Sequence, residues 1–513
     1  MLTDQQVRTK INQLLDYAQK ALDLDPRDRM LKLNTLLDLF GQSAPADETP
    51  DFGDFQTELA DPLVQYAVDK GITDDASRIL FETRMFGLLT PLPSAVTDKF
   101  YALKDAKAVK AATDWLFALS KANDYVRMTD INKNIKWEHT GKYGKIGITI
   151  NLSKPEKDPK QIALAKLQPK SGYPACMLCE SNVGFAGNLN HPARQTLRTI
   201  PITLDGEDWW LQYSPYQYYE EHAIAFSDEH RPMSVTPKSF ARLLDFVDLF
   251  PHYFMGSNAA LPIVGGSILT HDHYQGGLKV LPMMSVGARA EYSSGKFPAV
   301  KFAVADWYNS VVRLTSKDKA QIHAAASFVL EKWNDWTDES VEVICKTTEQ
   351  HNAITPIVRK EGSEYIVDMI LRNNRTDERR PYGIFHPEEC LHNIKKEGIG
   401  IIEVMGLFIL PGRLKKELAE VERYLTGEVR FDKAALAAED HPMHKHAGMI
   451  EALIAANGSS LSEKSAKQAV TDYVNDACVR ILEYTAVFKN DKKGQDAFAR
   501  FMKDGLGVTA AKN

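Results

Sequence analysis

The sequence predicts an α+β fold, and three observations carry that prediction. Apolar residues recur at helical spacing over residues 1–125 and again from about Phe431. Between these ends the period drops to two in β-branched stretches such as GKIGITINLSKP. Strands, one amphipathic helix and a histidine-bearing strand then follow one another, with a second strand-rich stretch later. At roughly 100–200 residues per domain, 513 residues imply about three or four cores. The regions are residues 1–125, helical; 126–315 and 316–430, two β-rich regions that read as distant copies of one unit; and 431–513, helical.

Each element follows from its pattern. Val7, Ile11, Leu14, Leu15, Ala18, Ala21 and Leu22 line one helical face, which Leu33, Leu36, Leu37 and Phe40 continue. Residues 45–54, acidic and turn-rich, read as a loop, and helical signal resumes over 57–89 and 96–123. Nothing there carries chemistry, so the region reads as packing scaffold. From about Trp137, GKIGITINLSKP, WWLQYSPYQYY and HAIAFS read as strands, with a Gly-, Pro- and Asn-rich loop over 172–190. KSFARLLDFVDLFPHYF, from Lys238, is an amphipathic helix, and GSNAALPIVGGSILTHDHYQGG is a glycine-punctuated turn feeding a strand. Residues 318–337 are helical, and ITPIVRKEGSEYIVDMILRNN is a hairpin turning at Glu361, Gly362 and Ser363. GIGIIEVMGLFILPGRLKKELAEVERYL carries a strand-like apolar run into a charged helix.

Composition excludes several classes. With 44% hydrophobic and 25% charged residues, the chain is neither disordered, collagen-like nor a coiled coil. A net charge of −6 leaves no global positive field for nucleic acid or anionic lipid, though a local phosphate pocket stays open. The charged N-terminal stretch lacks a signal-peptide core, and no run of apolar residues is long enough for a membrane span. Five cysteines, two of them three apart, fit a reducing compartment better than a disulfide framework. The expectation is a cytoplasmic protein with neither nucleic acid nor membrane as partner.

The sharpest local signal is Thr270-His271-Asp272-His273-Tyr274-Gln275-Gly276-Gly277. On an extended strand His271, His273 and Gln275 share one face, while Asp272 and Tyr274 point the other way. Two imidazoles and an amide flanked by Gly265–Gly266 and Gly276–Gly277 suit phosphate chemistry, because glycine lets backbone N–H groups approach anionic oxygens. Cys176 and Cys179 form a CxxC that can grip one Zn or Fe ion, with further ligands drawn from His191, His222, His230 and His271. Arg194 and Arg198, in HPARQTLR, offer guanidinium forks to phosphate. Ser257, Asn258 and Ser267 lie where they could contact nucleotide phosphates. His386 and His392 read as structural or surface groups, His441, His444 and His446 as an exposed helix-entry loop, and Arg372, Arg375, Arg379 and Arg380 as solvated.

Taken together, CMLCE, NHPARQTLR, QYSPYQYYEEH, FSDEHRPM, PIVGGSILTHDHYQGG and GIFHPEECLHNIKKEGIGIIEVMG resemble galactose-1-phosphate uridylyltransferases of the longer bacterial branch, across residues 176–406. The resemblance implies tandem histidine-triad-like antiparallel sheet domains with helical N- and C-terminal extensions. It makes His273 the nucleophile and Gln275 the residue that holds the phosphoryl oxygens. It also implies a structural Zn or Fe bound by Cys176, Cys179, His230 and His271. Asp272 stands where the shorter branch has proline. The implied reaction exchanges UMP between UDP-glucose and galactose 1-phosphate through a uridylyl-histidine, giving glucose 1-phosphate and UDP-galactose, and leaves room for a homodimer. Two alternatives share these residues: a histidine-triad nucleotide hydrolase or phosphorylase, and a zinc-stabilised nucleotide-sugar-binding protein without turnover.

Overall fold

A computed structural model describes residues 2–153, 172–266, 268–278, 280–396 and 398–511. Six helices come first: α1 (Asp4–Ala21), α2 (Arg29–Leu39), α3 (Asp61–Asp69), α4 (Arg78–Leu89), α5 (Pro93–Ala106) and α6 (Val109–Ala122). Strands β1 (Ile135–Gly141), β2 (Gly144–Asn151), β3 (Ile200–Leu204), β4 (Glu207–Tyr213) and β5 (Ala223–Ser227) follow. Next come α7 (Pro237–Leu249), β6 (Phe254–Gly256), β7 (His273–Gly277), β8 (Ala288–Ser293), β9 (Lys301–Ala305), β10 (Val311–Ser316) and α8 (Lys319–Asn334). The chain continues through β11 (Asn352–Glu361), β12 (Glu364–Asn373), β13 (Leu407–Pro411), α9 (Leu414–Thr426), α10 (Ala447–Asn457), α11 (Glu463–Thr485), α12 (Lys492–Arg500) and β14 (Thr509–Ala510). This is the α+β class expected. Two compact units result, neither a continuous stretch: Met1–Lys133 with Pro155–Arg231, and Asn134–Lys154 with Pro232–Asn513.

In the first unit, α1 starts at a reciprocal Thr3–Gln6 capping box and buries Val7, Ile11, Leu14, Leu15 and Ala18, the face its spacing predicted. β3, β4 and β5 form an antiparallel meander, with Ile200 opposite Leu211 and Trp209 opposite Ser227. The N-terminal helices brace this meander and the segment before it. Tyr213 donates to the Thr113 carbonyl at 3.0 Å, and Asn123 Nδ2 to the Thr196 carbonyl at 2.8 Å. SPYQYYEEH departs from expectation, because only its first neighbours WWLQY stay in a strand. Pro215 has no N–H for a ladder, Gln217 and Glu221 take left-handed backbone angles, and Ser214 N–H closes the turn on the His222 carbonyl at 2.7 Å.

In the second unit, strands β8, β9, β10, β12, β11, β6 and β7 pair antiparallel in that order, and β14 pairs with β8. β2 pairs antiparallel with β1 and parallel with β13. The β11–β12 hairpin turns through Gly362 and Ser363, with Gly362 at φ +60°. Asp368 of β12 is fully buried, and its two oxygens accept from Arg313 Nε and Arg359 Nη1, each at 2.5 Å. The same arginines donate to the Met283, Met284 and Val286 carbonyls at 3.0, 3.1 and 2.7 Å. A buried charge that would be costly alone is thereby paired, and it pins the turn that follows β7.

Two expectations for this unit need correction. Arg372, read as solvated, is 2% exposed and donates to the Ile399 carbonyl at 2.7 Å, because its strand position turns it inward from β12. His446, read as exposed, is fully buried against Glu417, with Nε2 and Oε2 2.9 Å apart. The helical tail forms as α10, α11 and α12 but ends in β14, a strand its composition did not announce. Among the described residues, no helix is long and apolar enough to cross a membrane.

Candidate active site

β7 owes its place to glycine. Phe254, Met255 and Gly256 of β6 face Gly277, Gly276 and Gln275 of β7, and a Cβ on Gly276 would sit 1.9 Å from the Phe254 carbonyl oxygen. Only glycine permits that approach. His273, 5% exposed, opens the strand, and its Nδ1 lies 2.8 Å from the His271 carbonyl oxygen. A carbonyl only accepts, so Nδ1 carries the proton and Nε2 keeps its lone pair. Burial pushes the His273 pKa down to about 4, opposed by the bond to the His271 carbonyl and aided by the neighbouring His271 ring. The ring is therefore a neutral imidazole with its tautomer set, the form a nitrogen nucleophile needs. Gln275 is half-buried two residues along the same face.

Asp272, just before the strand, and Tyr274 within it are both buried. Both meet Arg242 of α7: Nη1 lies 3.4 Å from Asp272 Oδ2 and 3.4 Å from the Tyr274 hydroxyl. α7 itself is fixed at its start by the Thr236–Ser239 capping box and Pro237.

The loop between β6 and β7 carries the next candidates. Ser257 and Asn258 are 1% and 3% exposed. The Ser257 hydroxyl donates to the Asn258 carbonyl at 3.0 Å, while Asn258 Oδ1 accepts from Ile401 N–H at 2.9 Å. A Cβ on Gly266 would strike Asn258 Nδ2 at 2.5 Å, so glycine lets the loop close over that amide. Ser267 lies outside the described residues.

In the first unit, Cys176 and Cys179 place their sulfurs 3.4 Å apart, and Cys179 Sγ lies 3.1 Å from His230 Nδ1. The three ligand atoms lie within 4.8 Å of one another, and Leu178 N–H donates to Cys176 Sγ at 3.3 Å. Two thiols and an imidazole converging in this way suit a borderline or soft cation. Burial, with the adjoining Cys176, pushes the Cys179 thiol up to about 11, so the protein alone does not favour a thiolate there. Of the other histidines considered, His191 Nε2 meets Asn182 Oδ1 at 2.6 Å, and His222 packs on Tyr219 with ring centroids 4.6 Å apart. His271, 1% exposed, belongs to the second unit.

The two arginines part company. Arg194 is half-buried and sits 5.8 Å from the centroid of the Tyr125 ring. Arg198 is buried, and all three of its guanidinium nitrogens donate to backbone carbonyls: Pro91, Gln195, Leu197 and Thr90, at 2.6, 3.0, 2.6 and 3.2 Å. It braces the α4–α5 corner, with little donor capacity left over.

His386 and His392 both approach the Pro387 carbonyl, at 3.2 and 3.1 Å, in keeping with a structural reading. No motif in the sequence announces Asn182, Arg242 or Lys489. Asn182 is fully buried and donates to the carbonyls of Cys176 and Cys179 at 2.8 and 2.7 Å, holding the CxxC turn. The CESN spacing was its one local clue. Lys489 lines a cavity of about 510 Å³ with Tyr382, His386 and Tyr484, and burial pushes its pKa down to about 8.

Comparison with known proteins matches residues 23–232 to the galactose-1-phosphate uridyl transferase N-terminal domain and residues 246–445 to the C-terminal domain of the same family. A galactose-1-phosphate uridylyltransferase of Caldanaerobacter subterraneus subsp. tengcongensis is 46% identical over 98% of each chain. Those of Fusobacterium nucleatum and Bacillus subtilis are 44% and 40% identical, the first over 96% of this chain and 97% of its own, the second over 98% of both. No solved structure matches.

Proposed function

The chain belongs to the galactose-1-phosphate uridylyltransferases, and we propose that His273 is the residue on which the uridylyl group is carried. The enzyme moves UMP between UDP-glucose and galactose 1-phosphate by a ping-pong route in galactose catabolism. The observation that carries our assignment is the 2.8 Å contact between His273 Nδ1 and the His271 carbonyl, which reserves Nε2 for attack.

In the first half-reaction, Nε2 bonds to the α-phosphorus of UDP-glucose and the bond to glucose 1-phosphate breaks. In the second, a phosphate oxygen of galactose 1-phosphate attacks the same phosphorus, UDP-galactose leaves and the imidazole returns to neutral. The departing sugar phosphate is weakly basic, so stabilisation of charge on the phosphoryl oxygens matters more than a proton donor. Gln275 supplies that through its amide. Arg194, the Asn258 Nδ2 donors and Ser267 complete the phosphate contacts in this reading, while Arg198 acts through the corner it braces and Ser257, whose hydroxyl donates to the Asn258 carbonyl, holds the loop's shape.

The metal belongs to the same proposal. Cys176, Cys179 and His230 supply three ligands for Zn or Fe, and His271 is the fourth by family resemblance. When bound, such an ion with four protein ligands acts as a structural cross-link. Tandem histidine-triad-like lobes at 126–315 and 316–430, a cytoplasmic location and a homodimer complete the reading.

Intact-protein mass spectrometry after brief incubation with UDP-glucose tests the central claim. One added uridylyl group on the native protein, absent from His273→Ala, is expected. Its retention in the variant would move the nucleophile elsewhere.

A further inference from the structure

The residue between the two histidines is charged, buried and paired, which transfer chemistry does not require of it. Asp272 is 1% exposed and its partner Arg242 is 4% exposed. Enclosing a carboxylate and a guanidinium in a protein interior is unfavourable, and well-packed apolar residues commonly serve stability as well or better. Stability alone therefore gives a weak reason for the pair, and orientation a stronger one.

The geometry supplies that reason. The carbonyl that captures His273 Nδ1 belongs to the peptide joining His271 to Asp272. Rotating that peptide would remove the acceptor and free the imidazole to turn or change tautomer. Asp272 lies on one side of this peptide and is held by Arg242 Nη1 at 3.4 Å. Tyr274, on the other side of His273, is held by the same nitrogen at 3.4 Å. The residues flanking the nucleophile in sequence are thus tied from behind to one capped helix.

We propose that Arg242, Asp272 and Tyr274 form a positioning clamp that fixes the His271–Asp272 peptide and, through it, the tautomer and aim of His273. The proposal rests on the reading of His273 as nucleophile. None of the three touches substrate. Their contribution lies in the rate of uridylyl transfer and not in affinity for UDP-glucose.

The test uses the full-length, metal-loaded protein. Arg242→Gln combined with Asp272→Asn removes both buried charges together and so avoids stranding either one. Rapid-quench measurement of the first half-reaction gives a burst amplitude, which counts folded sites, and a rate constant, which reports on each site. We expect metal content, amplitude and KM for UDP-glucose close to the native values, with the rate constant lower by roughly 10–100-fold, the range for residues that orient a reacting group. Tyr274→Phe, which keeps both charges, is the milder variant and should slow the step by about two- to tenfold. If the double variant fails to fold, the single hydroxyl deletion decides.

A native rate constant with only the amplitude reduced would make the trio a stability feature and overturn the clamp. So would a native rate in folded Tyr274→Phe when the double variant cannot be obtained. If the native enzyme itself forms no adduct on His273, the nucleophile reading fails and the clamp fails with it. A normal adduct on the native enzyme with unslowed variants rejects the clamp alone.

Discussion

His273 is set by the protein's own backbone: β6 and β7 pair at glycine distance, and a carbonyl two residues back accepts a hydrogen bond from its Nδ1–H. Cys176 and Cys179 lie outside any strand, on a turn held by the Asn182 amide, with His230 exposed beside them. The first arrangement is complete in the polypeptide. The second gathers donors whose protons must leave before they can bind an ion, so the ion finishes what the chain begins. On the proposed reading, the nucleophile and the metal ligands are therefore prepared to different degrees, and perturbation should separate them.

The widest separation comes from His273→Ala. It should reduce transfer by orders of magnitude while leaving bound metal unchanged, and turnover above roughly a tenth of native in folded protein would remove His273 from the mechanism. Gln275→Ala should slow transfer by about 10²–10³-fold, again with metal retained, as read by kcat at saturating substrates and elemental analysis. On the loop, the order reverses. Asn182→Ala, which removes the two carbonyl contacts of the CxxC turn, should weaken metal binding by about 10–100-fold in competition with a chromogenic chelator, with activity falling only as metal is lost.

The smallest effect expected is one of pH. Because Cys179 is pushed up to about 11 in the metal-free protein, binding an ion releases its proton. Apparent metal affinity should therefore rise by about tenfold per pH unit from this thiol between pH 6 and 8, as equilibrium titrations would measure. An affinity independent of pH would mean that the loop holds a preformed thiolate, and the contrast between the two regions would disappear.

The two regions also differ in how much of them could be read from residue order. Period two on THDHYQGG puts His273 and Gln275 on one face and Tyr274 on the other, because strand geometry is local; His271 and Asp272, read on the same strand, precede β7, which begins at His273. Arg242, about 30 residues earlier in the chain, left no mark on that pattern. Arg372 reads as solvated for the same reason: its carbonyl partner lies 27 residues away, and an arginine's composition looks identical whether solvated or enclosed. The CxxC spacing announced a metal loop but not its clasp, since a buried asparagine three residues on resembles any turn residue. The tyrosine-rich stretch after β4 reads as strand on its aromatic content, but Pro215 lacks the N–H that a ladder needs and the chain turns there instead.

β14 has a consequence for anyone preparing this protein. Thr509 and Ala510 lie beside Tyr292 and Ser293, and Ala511 N–H donates to the Glu291 carbonyl at 2.8 Å. These last described residues occupy hydrogen-bonding positions that would otherwise stand open along β8. Trimming the chain before Thr509 would bare a row of backbone donors and acceptors to other molecules, the kind of surface that recruits strands and seeds aggregation. A preparation that loses those few residues to proteolysis should keep its transfer chemistry and lose its shelf life.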